Sequence, residues 1–126
     1  MKGESAGYIY LGIPEQLADV LASTVHDFQR SLSAHGESPW AQLTSATLSR
    51  GVLHFACMYR EHRGDFPNPA VACSEVFHLL AEELMADTTA ARWGVPAHMV
   101  CVVAGTVAVC GQIIVDRMGP DTSNDV

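Results

Sequence analysis

Positive charge is scarce in this chain. Its 126 residues carry seven basic side chains against fourteen acidic ones, for a formal net charge of −7. A surface of that sign repels phosphate backbones and anionic headgroups at long range, so nucleic acid is not an expected partner. Paired cysteine motifs are absent too. Cys57, Cys73, Cys101 and Cys110 form no C-x-x-C pair, and each sits among apolar neighbours. Buried free thiols in a reducing compartment are the expectation. There is no glycine-rich phosphate loop and no Gly-x-Ser-x-Gly nucleophile elbow, so the common signatures of nucleotide handling and serine hydrolysis are missing. No internal repeat or low-complexity tract is present. The start, Met1-Lys2-Gly3-Glu4-Ser5, is too polar for a secretory signal, and the apolar run after Gly7 is too short. The expected location is therefore the cytoplasm.

What the chain does have is apolar residues, 48% of the total, against 17% charged. A single domain of this length can bury a core without metal or disulfide staples. Six of the seven basic residues are Arg, and Ala and Val are abundant. That bias suits a GC-rich bacterial or phage source.

The pattern reads as all-α: a small bundle of four main helices over residues 14–118, an N-terminal arm at 1–13 and a disordered tail at 119–126. Pro14 opens the first helix and Gly36 closes it, with Leu17, Leu21, Val25, Phe28 and Leu32 on one face. Ser38-Pro39 opens the second, running to about Arg63, with a stripe of Leu48, Val52, Phe55 and Tyr59. Gly51 interrupts that stripe and marks a close helix crossing. The third runs from Pro69 to Ala86 with Cys73, Phe77, Leu80 and Leu84 on one face. Asp87 and Thr88 cap a short fourth helix that stops at Gly94.

The last segment, Ala97–Val115, has no charged residue, and its mean hydropathy is roughly 2, in the range of a membrane-spanning helix. Ala97, Cys101, Ala104, Ala108 and Gly111 form a seam of small side chains. Val100, Val103, Val107, Cys110 and Ile114 form a second stripe of larger ones. A helix apolar all round is buried by protein or by lipid, and a small-residue seam lets another backbone approach. The leading expectation is a central helix wrapped by the other three long ones, with the seam as the helix or subunit contact. Two alternatives stand beside it: a C-terminal membrane anchor over 97–115, and a hairpin turning at Ala104-Gly105.

Polar candidates are few. His54, Cys57 and Glu61 share a face of the second helix, as do Glu75, His78 and Glu82 on the third. His54, Cys57, Glu75 and His78 offer donor types that bind zinc. The periodicity sets both polar stripes opposite the apolar ones, so they point away from each other, and no metal or cofactor is expected. Asp87–Val103 has the outline of a helix-turn-helix, but Ala97-His98-Met99-Val100-Cys101 offers almost nothing to read a base edge. Arg63-Gly64-Asp65 reads as a chance tripeptide in a loop. The functional expectation is a non-enzymatic module that binds a protein partner or itself. The alternatives are the membrane-anchored protein and a metal-binding enzyme or sensor.

Overall fold

A computed structural model describes residues 12–62 and 67–119. The arm before Gly12, the Arg63-Gly64-Asp65 tripeptide and residues 120–126 lie outside the described residues. The fold is all-α, with helices α1 (Glu15–Ser33), α2 (Pro39–His62), α3 (Pro69–Ala86), α4 (Thr89–Arg92) and α5 (Ala97–Met118). Among the described residues there is no strand, and Ala104-Gly105 lies inside continuous helix, which removes the hairpin alternative.

Local chemistry explains the boundaries. Pro39 and Pro69 each occupy the first helical position, where a missing N–H costs nothing. Ahead of Pro69, the Asn68 side chain accepts hydrogen bonds from the amides of Ala70 (3.1 Å) and Val71 (3.3 Å), two donors the helix leaves unpaired. The Asp87 carboxylate accepts from the Thr89 amide at 2.9 Å, which holds its own pKa below the usual carboxylate range. The α4–α5 turn closes on Gly94 at φ 81°, with Val95 N–H donating to Ala90 O at 2.9 Å and Gly94 N–H to Ala91 O at 3.0 Å. That pair of bonds is the Schellman arrangement, which requires a left-handed residue and so favours glycine. The outline of a helix-turn-helix in the sequence comes from this turn.

One core joins all the long helices. Leu17, Leu21, Val25 and Leu32 of α1 are buried, as are Leu48, Val52, Phe55 and Tyr59 of α2 and Cys73, Phe77, Leu80 and Leu84 of α3. Phe28 is only partly buried against them. Ile13, the last residue of the arm, belongs to the core as well. Two buried hydroxyls are satisfied within their own helix: Thr44 donates to Trp40 O at 2.6 Å and Thr47 to Leu43 O at 2.8 Å.

Helix α5 is central in that it touches each of the other four, and its largest contact is with α3. Two glycines permit the closest approaches. A Cβ on Gly111 would meet Phe77 Cβ at 2.9 Å and Ser74 Cα and O at 3.2 Å. A Cβ on Gly51 would meet the Phe77 ring at 3.1 Å and Leu80 at 3.3 Å, as a close crossing requires. Because Gly111 near the end of α5 meets Ser74 near the start of α3, the two helices run antiparallel.

Candidate interaction surface

The inner face of α5 is closed. Val103, Val107, Cys110 and Ile114 are fully buried, and Ala104 and Gly111 pack beside them. Burial pushes the Cys110 thiol up to about 12 and holds the Cys73 thiol higher still, with the nearness of Cys110 adding to the effect. Both are inert at neutral pH. At the C-terminal end, Arg117 Nη1 donates to Thr24 Oγ1 at 3.1 Å and to Asp27 Oδ2 at 3.2 Å, tying α5 to α1.

The outer face of α5 is open. Val102 and Val109 are 42% and 51% exposed, and a Cβ placed on Gly105 would meet nothing within 4 Å. The helix has a mean hydropathy of 2.0, yet only 33% of its most apolar stretch is buried. Enclosure by the bundle is thus one-sided. The three long helices cover the face centred on Val107, and their own apolar stripes are used up in doing so.

This geometry divides the small-residue seam. Gly111 turns inward against α3, Ala104 is buried, Ala108 is half-buried, and Ala97 and Cys101 are exposed. The seam runs along the border between the closed and open faces, so its C-terminal half serves packing within the chain.

The thiol expectation needs a correction. Cys73 and Cys110 are buried, but Cys57 and Cys101 are exposed. Cys57 lies on the polar side of α2 and Cys101 at the edge of the open face of α5. Apolar neighbours in sequence do not guarantee burial when they point elsewhere around a helix.

The polar candidates are not assembled into a site. His54, Cys57, Glu75 and His78 are all exposed. Among the described residues, no three His, Cys, Asp or Glu side chains converge to hold a metal ion. His78 Nδ1 lies 2.8 Å from the Ser74 carbonyl, so it donates within its own helix. His54 lines a shallow cleft of about 280 Å³ with Leu79, Glu82 and Glu83.

Two surfaces were not singled out by the sequence reading. Leu53 and Leu79 are 59% and 58% exposed on the α2 and α3 flanks, and each is out of phase with the apolar stripe of its helix. A second cleft, of about 420 Å³, lies between α1 and α2 beside Trp93. Gln29, which lines it, already donates to Ser45 O and Ser49 Oγ at 3.1 and 2.8 Å. That cleft holds only uncharged polar groups.

No family model matches the chain, and no match is found among curated proteins or solved structures.

Proposed function

We propose that this chain is a self-associating, non-enzymatic helical module whose contact surface is the open face of α5. The observation that carries the reading is the exposure of Val102 and Val109 around an open Gly105, on a helix whose opposite face is closed. An apolar strip of that kind gains free energy by being covered. The chain's net charge of −7 opposes association at long range, so contact falls to the strip where apolar residues outnumber charged ones. The protein acts in the cytoplasm, where its exposed thiols stay reduced.

The length and hydropathy of α5 also support a second reading, a membrane anchor. Packing favours the first. For the docked helix to cross a bilayer, the exposed Glu75 and Glu82 of its neighbour α3 would have to enter hydrocarbon at a cost of several kcal/mol. For α5 to leave the bundle, Val103, Val107 and Ile114 would have to abandon the core.

Sedimentation velocity over a range of concentrations tests the proposal. The contact strip is narrower than a standard interface, so a dissociation constant on the order of micromolar to tens of micromolar is expected. Val109→Asp should return the protein to a monomer without loss of helicity. A wild-type chain that stays monomeric at hundreds of micromolar overturns the reading. Flotation of the protein with lipid vesicles replaces it with the anchor.

A further inference from the structure

We infer that two copies pair through α5 in an antiparallel, two-fold arrangement with one defined register, an inference that rests on the self-association proposed above. The open face is a stripe of six residues: His98, Val102, Gly105, Val109, Gln112 and Asp116, all exposed. Their steps are four, three, four, three, four. His98 and Asp116 stand about five full turns apart, so they fall on one line along the helix. This is the seam spacing by which one helix packs along another.

Read backwards, the stripe has the same spacing. Setting His98 opposite the partner's Asp116 places Val102 opposite the partner's Gln112 and Gly105 opposite the partner's Val109. The symmetry repeats each pair, as an isologous contact demands. No stripe position is left facing a flank.

The chemistry of the pairs agrees with the spacing. Gly105, with open space above it, provides the hollow that a Val109 side chain fills. Val102 lies along the methylenes of the partner's Gln112, and within each chain the Gln112 amide donates to Asp116 Oδ1 at 3.1 Å. That bond leaves the Asp116 carboxylate with acceptor capacity for the imidazole N–H of His98. The parallel alternative stacks Asp116 on Asp116 and Gly105 on Gly105, placing like charges together and a void at the centre. On one flank, Cys101 and the half-buried Ala108 are small enough to let the second backbone close in.

The register is tested by disulfide trapping of the full chain with Cys57 and Cys101 replaced by Ser, which leaves the buried Cys73 and Cys110 as the only native thiols. Two variants are made, His98→Cys and Asp116→Cys, one of them isotopically labelled. They are mixed in equal amounts and equilibrated in a glutathione redox buffer. Within one helix the two positions are about 27 Å apart, so no internal bridge can form. The expected result is a mixed 98–116 disulfide well above its statistical share. Dominant 98–98 and 116–116 products, with the sedimentation dimer intact, overturn the register and leave self-association standing. Absence of any cross-link, together with a monomer in sedimentation, overturns both.

Discussion

The two sides of α5 are built from the same few residue types and have opposite fates. Val103 and Val107 are sealed in the core while Val102 and Val109 face outward. Gly111 is pressed against Ser74 and Phe77 while Gly105 has nothing above it. Composition therefore does not determine what such a residue contributes. Its angular position on the helix does, because only one side has neighbours to fill.

The sharpest way to break the comparison is to truncate a large side chain on each face. Ile114→Ala leaves a cavity in a packed interior and should cost about 2–5 kcal/mol. Val109→Ala removes a side chain that is half in solvent, and should change monomer stability by less than about 0.5 kcal/mol. Urea denaturation at concentrations low enough to keep the chain monomeric measures both. Equal losses would mean that the outer face is covered within one chain.

The thiols extend the contrast to pH. A thiol whose folded pKa is raised stabilises the fold fully below its unfolded value, about 8.5, and that contribution is lost as pH rises toward the folded value. Cys110 is pushed up to about 12 and Cys73 higher. Between pH 9 and 11 the unfolded chain thus binds fewer protons than the folded one. Stability should fall by about 1.4 kcal/mol per pH unit for each buried thiol. Cys110→Ala should remove one thiol's share of that slope. In the native protein a thiol reagent should label Cys57 and Cys101, and reach Cys73 and Cys110 only on unfolding. Simultaneous labelling of all four would show that the α3–α5 contact opens readily.

The glycine pair gives a smaller effect of opposite sign. Gly111→Ala forces a methyl into a space bounded by the Ser74 backbone and should destabilise by about 1–3 kcal/mol. Gly105→Ala meets nothing and removes the entropic penalty of a mid-helix glycine, so it should stabilise the monomer by about 0.5–1 kcal/mol. The same change fills the hollow proposed for the partner's Val109. It should therefore weaken association while strengthening the fold, a combination that thermal melts and sedimentation together can read.

Much of the architecture was legible in the sequence. Pro39, Pro69 and Pro96 mark helix starts, Gly36 and Gly94 mark stops, and the stripes of α1, α2 and α3 give the buried faces in phase. The third helix runs over Pro69–Ala86 in both the reading and the structure. The one-sided enclosure of α5 was not legible. The spacing picks out the stripe of Val103, Val107, Cys110 and Ile114 that the core buries, but a helix apolar all round gives no sign that the side carrying Val102 and Val109 stays open. The small-residue seam was visible, but not that its two ends would turn to different sides. The exposed Leu53 and Leu79 left a readable trace, since both fall outside the stripes. The His and Cys candidates shared helix faces as expected, but sharing a face does not bring side chains from two helices to one point.

The border between the two faces supplies the mildest test. Arg117 reaches from the last turn of α5 to Thr24 and Asp27 of α1, and the ion pair is nearly half exposed on both sides. Solvent screens such a pair, so Arg117→Ala should lower global stability by less than about 1 kcal/mol. Its effect should be local instead. Thr24 is buried and keeps its place through α1, whereas the final turn of α5 loses its polar link to α1 and keeps the packing of Val115 and Met118 against the core. Amide exchange should therefore rise in Val115–Met118 and stay unchanged around Val107. Exchange that rises along the whole of α5 would mean that the helix is held chiefly by its end, rather than by the closed inner face.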